Sequence, residues 1–209
     1  MIFNYTQKYQ FTTNLKLQNE ELEIVKETKL LGVIITDDLK WDKNTQYLIK
    51  KAYMRMQILR KTAEFTNNIN EKRTIYILYV RSILEQSCVV WHSSLTIENS
   101  QDLERVQKAA VRIIVGNKFE DYEDALIKAN LQKLSDRREQ LCLKFAKQCL
   151  QSEKNEDIFP LKRKPHNMKT RKQEIFEVKK VNTDRLKYSA IPNMQKILNE
   201  DFEKKRNIG

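Results

Sequence analysis

The sequence predicts a mainly α-helical chain, with a small antiparallel β element at its N-terminal end, a helical bundle after it and a loosely ordered basic tail. Glycine and proline number only three each in 209 residues, so turn-formers are scarce. Apolar residues recur at three- and four-residue spacings between residues 42 and 150. That pattern ends after Leu150, where polar and basic residues take over. Three segments follow: 1–41 with strand character, 42–150 as a helical bundle, and 151–209 as a partly disordered basic tail.

The β element is read from local pattern. Met1 to Tyr5 is a short apolar run, Leu15-Lys-Leu17 alternates, and Gln18-Asn-Glu-Glu21 supplies a turn before Leu22-Glu-Ile24-Val25. Leu30 to Thr36 reads as a further strand ended by Asp37-Asp38, with Gly32 marking a bulge or a close backbone approach. The strand-like opening suggests continuation from an upstream segment, and it lacks the basic and apolar regions of a signal peptide.

The first helix spans 42–64, with Asp42 as its N-cap and Leu48, Ala52, Met56 and Leu59 as its inward stripe. A second spans 71–87 through Ile75, Leu78, Tyr79, Ser82 and Ile83; the β-branched Cys88-Val-Val-Trp91 does not clearly extend it. Asn99 or Ser100 caps a third helix, with the stripe Leu103, Val106, Ala110, Ile113 and Ile114, and Gly116 stops it. A short helix around Tyr122–Ala129 follows. Ser135 caps a fifth that runs to Leu150, with Leu141, Cys142, Phe145, Ala146 and Cys149 inward. In the tail, Pro160, Pro165 and the cluster Lys162-Arg163-Lys164 precede a short helix at Ile191–Asn199.

Charge narrows the function classes. The formal net charge is +11, and residues 160–209 alone hold 14 Lys and Arg against 6 Asp and Glu. Such a surface draws nucleic-acid phosphates or anionic membranes, and is equally compatible with a solubilising tail. Three cysteines make no disulfide framework, which points to a reducing, intracellular compartment. No stretch approaches the ~20 apolar residues of a membrane span.

Catalytic constellations are hard to assemble from these residues. Asp37-Asp38 resembles the paired carboxylates that hold two metal ions in polymerases, but Ile35-Thr36 replaces the aromatic residue of that box, and the pair is read as a strand end. Cys88, His92, Cys142 and Cys149 do not have zinc-site spacing. With two histidines and three glycines, neither a hydrolase triad nor a phosphate-binding loop is expected. No metal, cofactor or catalytic residue is therefore assigned.

Basic helix faces are more informative. Arg105, Lys108 and Arg112 share one face opposite the Leu103–Ile113 stripe. Lys50, Lys51, Arg55 and Arg60 line the outside of the first helix. Arg137-Arg138 sit where a helix begins, a place unfavourable to cations, so an anionic partner is expected: a neighbouring carboxylate or a phosphate.

An ordered set of motifs adds a resemblance. Leu30-Leu31-Gly32-Val33-Ile34-Ile35 followed by Asp38-Leu39-Lys40-Trp41, then Lys50-Lys51-Ala52 and Ile58-Leu59-Arg60-Lys61, are similar to the block after the palm and the first thumb helix of jockey-like non-LTR retrotransposon reverse transcriptases. Arg81 to Glu85 with Val90-Trp91, Leu103 to Ala110, and Leu134-Ser-Asp-Arg137-Arg138 with Leu141 resemble that family's later thumb segments, in the same order. The resemblance covers about residues 1–150. It implies a thumb-like bundle that holds element RNA and an RNA/DNA template–primer duplex. Leu31 and Gly32 would be primer-grip-like, and Lys50, Lys51, Arg55, Arg105, Lys108, Arg112, Arg137 and Arg138 would bind nucleic acid. It further implies a missing palm and fingers as partner, which Leu31 and Val33 would face, and a cytoplasmic and nuclear ribonucleoprotein setting. The family's catalytic aspartates have no counterpart here, so the chain is not expected to be an enzyme by itself. Residues 15–60 are also similar to a module at the N-terminus of AlkB-homologue tRNA-modifying dioxygenases, but the His-x-Asp of their iron site does not occur. The alternative is a stand-alone basic helical adapter that binds RNA or a protein.

Overall fold

A computed structural model describes residues 16–21, 23–152, 155, 158–160, 175–178 and 183–208. The chain is mainly helical, with two small antiparallel hairpins at its N-terminal end: β1 (Lys16–Leu17) with β2 (Glu20–Glu21), and β3 (Glu27–Leu30) with β4 (Val33–Thr36). The first hairpin turns on Gln18-Asn19 alone, both at positive φ. Glu20 and Glu21 thus belong to a strand rather than the turn, and Ile24-Val25 lie in no strand. Met1–Tyr5, Leu15, Leu22 and Lys162-Arg163-Lys164 lie outside the described residues.

Leu30 to Thr36 is not one strand. Leu30 pairs with Val33, which makes Leu31-Gly32 a two-residue turn with φ of 48° and 84°. Tight hairpins of right-handed twist need positive φ at both central positions. Gly32 meets this without a Cβ penalty, and Leu31 projects its side chain into solvent at 89% exposure. Gly32 is therefore a turn residue and not a bulge. Asn44 Oδ1 accepts from Ile34 N at 3.1 Å, which stitches β4 to the first helix.

That helix, α1 (Asp42–Phe65), buries Leu48, Ala52, Met56 and Leu59 as its stripe dictates. Trp41 occupies the cap position, so Asp42 is the first helical residue rather than the cap. α2 (Ile69–Ile75) continues through a π-helical segment, Tyr76–Arg81, into α3 (Ser82–Leu84). The buried row is Lys72, Tyr76, Val80 and Leu84. Leu78 and Tyr79, expected inside, are 60% and 42% exposed. A π turn holds more than 3.6 residues, so it keeps a strict four-residue row on one face and turns the 3.6-residue stripe outward.

Ser87 at φ 53° breaks the rod before α4 (Cys88–Trp91), which is helical despite its β-branched pair. α5 (Ile97–Val115) is capped by Thr96, whose hydroxyl accepts from Asn99 N at 3.1 Å; the cap precedes the expected Asn99 or Ser100. Gly116 at φ 63° ends it, and α6 (Tyr122–Lys128) follows. α7 (Leu134–Leu150) contains Ser135 within its first turn, so Ser135 is not its cap. Its buried row is Leu134, Arg138, Cys142 and Ala146, whereas Phe145 is 40% exposed.

α1 to α6 and the start of α7 share one core, in which Trp91, Tyr76, Leu84, Leu103 and Ile114 are fully buried. Beyond Leu150 the described residues add a second, smaller core. The short helix expected at Ile191–Asn199 is present within a longer one, Ala190–Ile208, labelled α9 after α8 (Asp184–Lys187). Ala146 of α7, Phe159, Phe176, Met194 and Leu198 close on one another, with Phe159 and Phe176 edge to face at 6.0 Å. Among the described residues no helix is long and apolar enough to cross a membrane.

Candidate nucleic-acid interface

The surface of α1 stands apart electrostatically. Opposite its buried stripe runs an exposed row at three- and four-residue spacing: Lys43, Gln46, Lys50, Met54, Gln57 and Lys61. Between Lys43 and Ala63 the helix carries six cations and no carboxylate. Lys43 pairs with Glu27 on β3. Lys50, Arg55, Arg60 and Lys61 form no ion pair among the described residues. Tyr53 and Met54, 41% and 67% exposed, sit among them. A helix of 24 residues is ~36 Å long, close to one turn of duplex.

α5 differs. Arg105 pairs with Asp102, and Lys108 and Arg112 lie over the rings of Tyr122 and Phe119 at 5.6 and 5.0 Å. Those two cations cover the segment that leads into α6, and the helix's three acids balance its three bases. Arg137 has the neighbouring carboxylate that its position calls for: its Nε lies 3.2 Å from Glu85, which also takes Arg81 at 3.3 Å. Arg138 is a correction. It is fully buried, its guanidinium 5.8 Å from the Trp91 ring centre, and it offers no surface to a phosphate. Its Nε donates to His92 Nδ1 at 3.3 Å. Burial and the Arg138 charge lower the His92 pKa from about 6.5 to about 4, so the ring is neutral at pH 7.

At the hairpin tip, Leu31 is free to contact a partner, whereas Val33 is buried in the core and does not face a missing surface. The Gln86 side-chain amide lies close to where a Cβ on Gly32 would stand, but that flexible side chain can move aside, and the positive φ is what favours glycine here. Asp38 closes its strand: its Oδ1 accepts from Thr36 Oγ1 at 2.6 Å and from Lys40 N at 3.1 Å. The Thr36 hydroxyl holds the Asp38 carboxyl below its ordinary value, with Lys40 contributing. Cys142 and Cys88 are both buried, Cys142 Sγ donates to the Cys88 carbonyl at 4.0 Å, and the neighbouring Cys88 side chain together with burial pushes the Cys142 thiol up. Among the described residues no three potential ligands are grouped to hold a metal ion.

Periodicity did not reveal a polar network inside the bundle. Tyr76 Oη donates to Gln107 Oε1 at 2.6 Å, and Gln107 Nε2 donates to Tyr122 Oη at 3.0 Å and to the Gln132 carbonyl at 2.9 Å. Tyr122 Oη in turn donates to Glu104 at 2.5 Å. The Glu104 carboxylate also accepts from Leu134 N and Ser135 N at 3.1 and 3.3 Å, and so caps α7 from another helix. This chain joins the π segment, α5, α6 and α7, and it sets the frame that carries the basic face.

No family model matches the chain, and no curated protein or solved structure matches it.

Proposed function

We propose that this chain is a nucleic-acid-binding helical module, the thumb and C-terminal part of a jockey-like non-LTR reverse transcriptase, which holds a template–primer duplex along α1. The observation that carries the reading is the run of six cations between Lys43 and Ala63 of α1, uninterrupted by a carboxylate, most of them without an ion pair among the described residues. Duplex nucleic acid presents one phosphate charge per ~1.7 Å of axis, so a ~36 Å basic helix meets several at once. The order of motifs along residues 1–150 supports the family assignment. The exposed Leu30 and Leu31 at the hairpin tip suit contact with the palm that precedes such a thumb. The module acts as a clamp, works inside the cell, and by itself extends no primer, because the aromatic-x-Asp-Asp box does not occur in it.

Duplex binding is tested by fluorescence anisotropy on a labelled RNA/DNA hybrid across a salt series. The triple variant Lys50→Glu, Arg55→Glu, Lys61→Glu should weaken binding at least tenfold and lower the log–log salt slope by about one for each lost phosphate contact. Reversing Arg105, Lys108 and Arg112 should cost less, because Asp102, Tyr122 and Phe119 already engage them. Wild-type chain that binds neither hybrid nor single strands in a salt-dependent way would sink the proposal. Tight RNA binding with no preference for duplex would favour the adapter instead.

A further inference from the structure

Lys29 lies on β3, 18 residues from Tyr47 on α1, yet its Nζ donates to Tyr47 Oη at 2.7 Å and sits 4.5 Å from the ring centre. Lys51, one helical turn beyond Tyr47, brings its own Nζ to 5.9 Å from the same ring centre. Two like charges thus converge on one phenol. No carboxylate separates them: Glu27, the acid nearest on β3, is engaged by Lys43, and neither lysine has an ion pair among the described residues. Tyr47 Oη accepts from Lys29, and its own proton has no acceptor among the described residues. The groups brought together here are all donors: the remaining N–H bonds of Lys29, those of Lys51 and the Tyr47 O–H. A phosphate is the converse, acceptors only, with negative charge.

We propose that Lys29, Tyr47 and Lys51 form a phosphate clasp between the β3–β4 hairpin and α1, and that its ligand is a backbone phosphodiester of the bound nucleic acid. The assignment rests on the α1 reading above and extends it to the hairpin, which otherwise offers no contact besides its apolar tip. Lys50, adjacent to Lys51 and exposed, leads from the clasp onto the basic row. A phosphate seated there would draw the two ammonium groups together and fasten the hairpin to the helix. Tyr47 supports the same picture, since the Lys29 hydrogen bond lowers its pKa and leaves its O–H a better donor.

The test uses the full chain with Lys29→Gln, Lys51→Gln and Tyr47→Phe, and with Lys26→Gln as a control at an exposed lysine outside the clasp. Each is compared with wild type by thermal melt, by anisotropy on the RNA/DNA hybrid, and by an NMR titration with inorganic phosphate and pyrophosphate. Each clasp lysine variant should weaken duplex binding about fivefold and reduce the salt slope by about one. Tyr47→Phe should weaken binding several-fold with the slope nearly unchanged, because it removes a donor and no charge. A Lys26→Gln variant as costly as Lys29→Gln, or a Tyr47→Phe variant equal to wild type, overturns the clasp while leaving the α1 reading intact. If the wild type binds no nucleic acid, the phosphate titration still decides. Saturable shifts at Lys29, Tyr47 and Lys51 that the variants abolish would keep an anion site, and their absence would end both proposals.

Discussion

Glu104→Ala should lower the stability of the fold by about 3 kcal/mol, measured by urea denaturation at pH 7. The side chain supplies what α7 lacks in its own sequence. Lys133 occupies the cap position there and offers no acceptor to the first-turn N–H groups. Glu104, 30 residues earlier on α5, accepts from two of them and brings negative charge to the positive end of the helix dipole. The same carboxylate takes the Tyr122 hydroxyl at 2.5 Å. Alanine strips the cap and leaves the hydroxyl of a half-buried phenol with Gln107 as its one hydrogen-bond partner among the described residues. A lost cap costs about 0.5–2 kcal/mol and a lost hydrogen bond to a charged group about 1.5–3, and the two overlap because one carboxylate serves both. Glu104→Gln keeps an acceptor oxygen and should recover roughly half. A Glu104→Ala protein within 0.5 kcal/mol of wild type would mean that water replaces the carboxylate at no cost.

The parts of this fold that could be read from sequence are those set by short-range pattern. Leu48, Ala52, Met56 and Leu59 fix α1 because a 3.6-residue helix lines them up, and Gly116 ends α5 because it accepts positive φ. The errors have equally physical causes. The row Lys72–Tyr76–Val80–Leu84 has strict four-residue spacing, which an α-helix would wind off the core and a π turn keeps on it. Leu31 occupies positive φ where asparagine or glycine is usual, so an apolar run concealed a hairpin turn. Arg138 is in step with Leu134, Cys142 and Ala146, and spacing alone would have placed it inside; its charge argued for the surface. Glu104 and Ser135 are 31 positions apart, beyond the reach of any periodicity argument. On the candidate interface, the α1 cations were legible as a charge run. Lys29 and Tyr47 were not, because their proximity exists only once the hairpin folds onto the helix.

The contact between half-buried His92 and buried Arg138 makes stability depend on pH in a defined window. Folded His92 takes up a proton only near pH 4, because burial and the adjacent guanidinium oppose a second positive charge; the unfolded chain does so near 6.5. Below 6.5 the unfolded state therefore binds the extra proton and the folded state does not. Stability attributable to this site is complete above pH 6.5 and falls as pH drops toward 4, after which it levels off. Between pH 7 and 5 the expected loss is about 2 kcal/mol. The carboxylates with lowered values, Asp38, Asp121 and Asp201, act mainly below that interval, since unfolded aspartate titrates near 3.8. His92→Gln provides the control: its amide oxygen can still accept from Arg138 Nε, and it does not titrate. Urea melts at pH 7 and pH 5 should separate by about 2 kcal/mol in the wild type and by much less in His92→Gln. Equal separations in the two proteins would show that the acid sensitivity lies elsewhere, and that the folded ring is protonated beside Arg138 more readily than its burial implies.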